Sequence, residues 1–282
     1  MGPPGVGWQG WLAAGDGDPI GEESSEIMAL AARLIAARRE REPVPLITAD
    51  GPLSLLDAYD VQRLSAHLWT LETGSRAVGY KISLTSDETQ SVLDTSEPTY
   101  GHLFDDQILH APAEVPLGGF FSPLIEPELV FVFDEDLPPH AGPDDILTCA
   151  RIAPGFELPD ARYISWFGEP ALTLSDFVAD NSAAGMLVVG EPVSANGVEL
   201  RNIEVEVSLN GARVRQGRAT AVLGDPTRSV TWLSRQLALC GEGLRAGDVV
   251  SSGTFCPPLR LLPGRYVARF TDVGAVTLNV TE

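Results

Sequence analysis

After Gly74 the sequence changes to short apolar runs separated by glycine and proline. This pattern predicts a fold rich in short strands. Asn210-Gly211 stands between two runs of alternating polarity, which is typical of a two-residue hairpin and predicts antiparallel pairing. A second hairpin is expected around residues 272–274. The predicted strands are 77–84, 125–133, 203–209, 212–216, 248–252 and 266–280.

Helical patterns dominate the chain before Gly74. Apolar residues recur at helical spacing in 22–41 and 54–73, and one further helix, 226–240, interrupts the strands. The predicted fold is therefore α+β, with an N-terminal helical region followed by a mixed, mostly antiparallel β domain. The predicted boundaries are 1–25 for a flexible N-terminal extension rich in glycine, proline and acidic residues, 26–74 for the helical region and 75–282 for the β domain.

The composition excludes several classes of function. The formal net charge is −20, so the surplus of cations that nucleic-acid phosphates or anionic membranes require is lacking. We therefore expect a small-molecule partner, with neither nucleic acid nor membrane involved. Three widely spaced cysteines without a CxxC pair indicate neither a disulfide framework nor a zinc site. Without a signal-peptide pattern or an apolar run long enough to span a bilayer, the chain is expected to be cytoplasmic.

Lys81 is the only lysine of the chain; every other cationic side chain is an arginine. It lies inside a largely apolar run that reads as a buried strand. Unlike an arginine, a lysine loses its proton readily when it is buried or placed near other charges, and it then serves as an acid, a base or a nucleophile. The alternative is compositional, since a strong bias towards arginine leaves few lysines by chance.

Two acidic residues alternate with a proline at the start of the predicted strand 125–133. Glu126 and Glu128 therefore project from the same face, where their like charges repel. A shared cation with oxygen ligands, Mg²⁺ or Mn²⁺, is the simplest way to keep both ionised. Glu157 lies in another apolar run and is a third candidate. The alternative is a solvated face of an edge strand, which Pro127 would mark.

Several motifs occur in an order and spacing that resemble one enzyme family. The stretch GYKISLTS at 79–86, followed by Gln90 and by EPTYGHL at 97–103, is similar to the pattern GxKxGLT…Q…xPDxGxL. PLIEPE at 123–128 is similar to PRxExE. Together with the stretches below, they resemble the 2-oxopent-4-enoate hydratase and 4-oxalocrotonate decarboxylase family, which has the fumarylacetoacetate hydrolase-like fold. The further similar stretches are FELPDARY at 156–163, VADNSAAG at 178–185, LGDP at 223–226, VTWL at 230–233, LRAGDVV at 244–250 and SGT at 252–254.

The resemblance implies a catalytic β-roll in 75–282, a homo-oligomer and a Mg²⁺ or Mn²⁺ site made by Glu126, Glu128 and Glu157. Lys81 would be the nearby acid, base or charge partner, and Asp180 a further catalytic residue. The implied activity is that of a lyase that acts on a 2-hydroxydienoate or 2-oxo acid through a metal-stabilised enolate, with hydration as the expected reaction. The alternatives are a 4-oxalocrotonate-type decarboxylase, an acylpyruvate carbon–carbon hydrolase, or a repurposed isomerase or cyclase of secondary metabolism.

The sequence departs from the family pattern beside these motifs. Thr99 stands where the family has an acid, Leu124 where it has an arginine, Ser83 where it has a glycine and Asp225 where it has a histidine. Since Thr99 replaces that acid, Glu97 or Asp94 is expected to substitute for it as a proton carrier. These departures predict a substrate that has diverged from the short dienoates. The residues predicted to contact it are Ser83, Leu84, Thr99, Leu124 and Thr254.

Overall fold

The computed structural model describes residues 22–164 and 166–282, so most of the predicted N-terminal extension lies outside it. The helices of the described part are α1 Glu22–Glu40, α2 Leu55–Thr73, α3 Asp87–Val92, α4 Pro143–Cys149, α5 Leu174–Ala179 and α6 Pro226–Leu239. Its strands are β1 Ala77–Ser83, β2 Thr99–Phe104, β3 Ile108–His110, β4 Ala113–Pro116, β5 Leu124–Phe133, β6 Ala150–Leu158, β7 Met186–Val189, β8 Val193–Ser194, β9 Glu204–Leu209, β10 Ala212–Arg218, β11 Val249–Thr254, β12 Leu259–Arg260, β13 Gly264–Phe270 and β14 Gly274–Thr281.

These strands form two sheets within the described residues. The larger sheet has the order β2-β1-β11-β5-β6-β7-β3, with β12 paired to β5 and β8 paired to β6. The smaller sheet has the order β10-β9-β13-β14-β4. Most pairs are antiparallel, whereas β1–β11, β14–β4 and β3–β7 are parallel, so the prediction of a mixed, mostly antiparallel α+β fold is confirmed.

The main core fills the space between the two sheets. One face of the large sheet contributes Phe131 and Phe156, and the small sheet contributes Tyr266 and Leu278. Because side chains alternate along a strand, the neighbours of these residues project from the opposite face of the large sheet. That opposite face carries a smaller apolar cluster and, beside it, the predicted site residues.

The N-terminal helices cover the end of the large sheet that carries the site. A second apolar core joins Leu34 of α1 and Val61 of α2 to Tyr163 and to Phe177 of α5. The proposed division at residue 75 stays a prediction, but this core links the two sides of it. Among the described helices, none is both long and apolar enough to cross a membrane.

Local sequence signals explain the best-predicted elements. Ser54 caps α2, with its hydroxyl accepting a hydrogen bond from Asp57 N at 3.1 Å. Asn210 and Gly211, with φ of 52° and 83°, form the hairpin turn between β9 and β10. In contrast, β6 was not predicted, because it is buried on both faces and therefore lacks alternating polarity.

Candidate active site

Three glutamates from two adjacent strands converge on one face of the large sheet. Strands β5 and β6 are antiparallel, and their register places Glu126 directly opposite Glu157. Glu128 follows two residues after Glu126 and projects from the same face. One carboxylate oxygen from each residue lies within 4.8 Å of the other two. This is the expected convergence, and it depends on the register between two strands.

Burial raises the pKa values of all three carboxyl groups, and repulsion within the cluster adds to the shifts of Glu126 and Glu128. Glu128 and Glu157 are fully buried, and Glu126 is partly exposed. Desolvation, followed by repulsion from Glu157, raises the pKa of Glu126 to about 8. The same two causes raise the pKa of Glu128 well above its ordinary value, and burial raises the pKa of Glu157. The cluster therefore favours the binding of protons or of a compensating cation.

The hydrogen bonds of the cluster leave carboxylate oxygens free for such a cation. Glu128 Oε2 accepts bonds from Ser251 Oγ at 2.6 Å and Gly253 N at 2.8 Å, but Glu128 Oε1 has no hydrogen-bond partner. Glu157 Oε2 is also buried without a partner. Since unpartnered buried oxygens are costly, the donor set fits a hard divalent cation. Three carboxylates and one ammonium carry two net negative charges, which one divalent cation neutralises.

Lys81 supplies the ammonium of this cluster. Strand β1 pairs with β11 so that Lys81 lies beside Ser251, and its side chain is only 1% exposed. Its Nζ lies 2.9 Å from Glu157 Oε1 and donates to Ser182 O at 2.9 Å and to Ser83 Oγ. Three acceptors thus match the three N–H bonds of an ammonium group. The prediction that Lys81 lies in a buried strand is confirmed.

Ser182 was not predicted as a partner of Lys81. Residues Asn181, Ser182 and Ala183 all have left-handed backbone conformations, with φ of 55°, 49° and 54°. This strained turn lies against β2: Ser182 Oγ donates to Tyr100 O at 2.8 Å, and a Cβ at Gly101 would come within 2.1 Å of Asn181 O. The turn thereby aims the Ser182 carbonyl at Lys81, and the VADNSAAG motif was its only sequence signal.

Asp180, just before this turn, forms a buried ion pair with Arg162. The Arg162 Nε lies 2.5 Å from Asp180 Oδ1, and Arg162 N donates to Asp180 Oδ2 at 2.9 Å. Arg162 also donates to Ala184 O at 2.6 Å, so it ties both ends of the turn together. Desolvation raises the pKa of Asp180 to about 6, although Arg162 opposes that shift. The structure therefore connects Asp180 to the site through the turn.

Glu97 and Thr99, at and near the position where the family has an acid, lie in different surroundings. Glu97 is exposed, and its Oε2 accepts a hydrogen bond from Trp232 Nε1 at 2.7 Å. Thr99 is buried and pairs with Ser83 across β1 and β2, so both hydroxyl side chains lie on the face of Lys81. Thr99 Oγ1 has no hydrogen-bond partner. A catalytic role for Glu97 stays a prediction, while Thr99 presents a free buried hydroxyl.

The remaining predicted contact residues lie at or next to the ends of strands β1, β5 and β11. Leu84 and Leu124 are half-buried against the second core, and Leu124 precedes Glu126 by two residues on the same face. Thr254 pairs with Glu128, and its hydroxyl donates to Cys256 O at 2.8 Å. Asp225, by contrast, caps α6 by accepting a bond from Thr227 N at 2.9 Å, so this departure has a structural role.

Comparison with known proteins places the chain in an enzyme family. The profile of the fumarylacetoacetate (FAA) hydrolase C-terminal family matches residues 160–281. The chain is 32% identical over 251 residues to a 2-keto-4-pentenoate hydratase of Paraburkholderia xenovorans, covering 86% of this chain and 90% of that protein. The chain belongs to the 2-keto-4-pentenoate hydratase and 4-oxalocrotonate decarboxylase family. The resemblance inferred from the motifs is confirmed.

Two further relatives show the range of the family. The 2-oxo-hept-4-ene-1,7-dioate hydratase of Escherichia coli is 35% identical over 258 residues, which is 88% of this chain and 95% of that protein. The structure of 4-oxalocrotonate decarboxylase from Pseudomonas putida, complexed with magnesium and adipate, superimposes with a TM-score of 0.83 at 28% identity. That match covers 91% of this chain and 97% of the decarboxylase, and it confirms the predicted fold.

Proposed function

We propose that this protein is a divalent-metal-dependent lyase that adds water to a 2-hydroxydienoate, the enol form of a 2-oxo acid. The observation that carries the proposal is the convergence of three buried glutamates beside the buried ammonium of Lys81. Relatives named as hydratases, at 32% and 35% identity over most of the chain, support hydration as the reaction.

The proposed metal ligands are Glu126, Glu128 and Glu157, whose free buried oxygens fit Mg²⁺ or Mn²⁺. When bound, the cation would supply Lewis-acid polarisation of the 2-oxo group of the substrate. The backbone N–H of Gly253 and the hydroxyl of Ser251 hold Glu128 in place for this role. A Cβ at Gly253 would lie 2.3 Å from Thr85 Oγ1, so a residue with a side chain could not bring its N–H this close to Glu128 without displacing Thr85.

Lys81 Nζ is the proton carrier that we assign. Ketonisation of the dienol moves a proton from the 2-hydroxyl oxygen to carbon, and hydration then places a proton on one carbon and a hydroxyl group on another. The site therefore needs a group that exchanges protons in a place closed to bulk water. Glu157 Oε1, Ser83 Oγ and Ser182 O orient the Nζ from three sides. We assign the free hydroxyl of Thr99 to the substrate or to the attacking water, and Asp180 to the positioning of the Ser182 turn through Arg162.

Decarboxylation of a 4-oxalocrotonate-type substrate is the second candidate. The fit to the decarboxylase structure, with a TM-score of 0.83 over 91% of the chain, supports it. Both reactions need the same metal-binding carboxylates and the same buried acid, so the site geometry is compatible with either. Release of CO₂ distinguishes the two.

The test is the loss of dienoate absorbance in metal-loaded enzyme, with and without EDTA. Turnover that requires Mg²⁺ or Mn²⁺ is expected, with a fall of roughly a hundredfold or more in kcat for Lys81→Met. Glu128→Gln is expected to lose metal binding, whereas its matched control, the exposed Glu114→Gln on β4, keeps it. If no 2-hydroxydienoate or oxalocrotonate-type acid is turned over with either metal, the proposal is wrong.

The assembly and location are also proposed rather than established. We propose a cytoplasmic homo-oligomer, and large exposed apolar side chains such as Leu56, Leu71 and Phe167 support an interface between copies. Sedimentation velocity with the purified chain tests it: a single species at the monomer mass of 30.1 kDa would contradict the oligomer.

A further inference from the structure

The glutamate cluster opens to solvent at one end. Glu128 and Glu157 have no exposed surface, whereas Glu126 is partly exposed. Glu126 is also the ligand closest to the start of β5. A substrate that reaches the cluster therefore passes Glu126 and extends towards the beginning of that strand.

Arg260 lies at this opening. It is in register with Leu124 across the antiparallel pair of β12 and β5, and Leu124 precedes Glu126 by two residues. Alternation places Leu124 and Arg260 on the face of the glutamates, while their neighbours Ile125 and Leu259 face the main core. The strand rise puts Arg260 roughly 7 Å along the sheet from Glu126, a span that a short carbon chain bridges.

The Arg260 guanidinium is free to bind a ligand. Arg260 is exposed, and its side chain forms no hydrogen bond or ion pair with the described residues. Arg151, in contrast, is held by Asp134 at 2.8 Å. An unpaired guanidinium recognises a carboxylate through two parallel hydrogen bonds. Between it and the cluster, Leu124 offers an apolar surface for a hydrocarbon segment.

We propose that Arg260 is a specificity-determining residue that binds a second carboxylate, so that the substrate is a dicarboxylic 2-oxo acid or its dienol. The inference rests on the proposed function of the glutamate cluster. The 2-oxo acid end lies at the cluster, the carbon chain crosses Leu124, and the distal carboxylate pairs with Arg260. This also gives a local cation for an anionic substrate on a chain of net charge −20.

Kinetics with matched substrates test the role of Arg260. For Arg260→Leu we expect kcat/KM for the dienol of 2-oxo-hept-4-ene-1,7-dioate to fall about tenfold or more, mainly through KM. With 2-hydroxyhexa-2,4-dienoate, which has a single carboxylate, no change is expected. Arg260→Lys should retain part of the preference, because it keeps the charge and loses the bidentate geometry. Equal losses on both substrates, or none on either, would overturn the proposal.

A binding measurement separates this inference from the proposed reaction. Calorimetry in Mg²⁺ compares 2-oxoadipate with 2-oxohexanoate, which differ in the distal carboxylate. The wild type should bind 2-oxoadipate about tenfold or more tightly, and Arg260→Leu should remove that difference. The matched control is Arg265→Leu, an exposed arginine with an unpaired side chain on β13 of the small sheet, and it should behave as the wild type. An inactive wild type that still shows the Arg260-dependent preference would refute the lyase alone, whereas an active one without the preference would refute only the role of Arg260.

Discussion

Lys81 Nζ lies 2.9 Å from Glu157 Oε1, and both side chains are buried, at 1% and 0% exposure. The ion pair connects Lys81 on β1 with Glu157 on β6, two strands that are separated in the large sheet by β11 and β5. Removing Lys81 would leave three carboxylates without their cation, whereas removing Glu157 would take away the one carboxylate in contact with Lys81 and leave Glu126 and Glu128 near it. Glu157, which contacts Lys81, and Glu128, which accepts hydrogen bonds from Ser251 and Gly253, should therefore respond differently when their charge is removed.

Glu157→Gln is expected to destabilise the metal-free protein by about 1–3 kcal/mol, because Lys81 loses the carboxylate that it contacts while Glu126 and Glu128 still supply negative charge nearby. Glu128→Gln is expected to stabilise the metal-free protein, since it removes a desolvated carboxylate that Glu157 and Glu126 repel. The wild type is expected to gain thermal stability from Mg²⁺ at the proposed site, and both variants should lose that gain. Melting with EDTA and with Mg²⁺ measures these effects, and equal shifts for the two variants in EDTA would contradict the assignment.

Asp180→Asn should cost about 3–5 kcal/mol of unfolding free energy, because it leaves the buried guanidinium of Arg162 without its carboxylate. The Ser182 turn should loosen, and kcat should fall while Mg²⁺ affinity stays unchanged. Asp134→Asn is the matched control: it breaks an exposed pair with Arg151 and should cost less than about 1 kcal/mol. Urea unfolding and calorimetry report the two quantities separately, and a lowered Mg²⁺ affinity would argue against a positioning role.

Thr99→Val tests the free hydroxyl beside Ser83. Because Thr99 Oγ1 is buried without a partner, its removal should leave stability unchanged or raise it slightly. If the hydroxyl binds substrate or water, kcat/KM should fall about tenfold. Unchanged kinetics in a folded variant would assign Thr99 to the sheet alone.

His102 should make the protein sensitive to acid. Its side chain lies on the face opposite Lys81, near Tyr80, and burial lowers its pKa from 6.5 to about 4. In the unfolded chain His102 binds a proton below pH 6.5, whereas in the folded protein it binds one only below about pH 4. The stability contributed by neutral His102 is present above pH 6.5 and is lost as the pH falls towards 4, by about 3 kcal/mol in full.

The variant His102→Phe removes this titration while keeping an aromatic ring beside Tyr80 and Tyr100. The difference in unfolding free energy between wild type and variant should change between pH 6.5 and pH 4 and stay constant above pH 7. Urea unfolding at a series of pH values measures it. A difference that does not vary with pH would show that His102 is not the responsible group.

Local sequence patterns predicted much of the fold. The Ser54 cap, the Asn210-Gly211 turn and the helical spacing in α1, α2 and α6 all arise from interactions within a few residues, which the sequence displays directly. Strands such as β6 escaped prediction because burial on both faces removes the alternation that marks a strand. Local chemistry also pointed to Lys81 as a solitary buried lysine and to Glu126 and Glu128 as a pair on one face.

Only the tertiary structure decided what meets these residues. Glu157 faces Glu126, Ser182 O reaches Lys81 and Arg260 lies opposite Leu124 because strands and turns distant in the chain pack in one particular register. A shift of one residue in that register would turn each of these side chains to the other face of the sheet. Side-chain alternation is a local property that the sequence determines by itself, whereas register depends on how the two sheets and the N-terminal helices bury their apolar faces together.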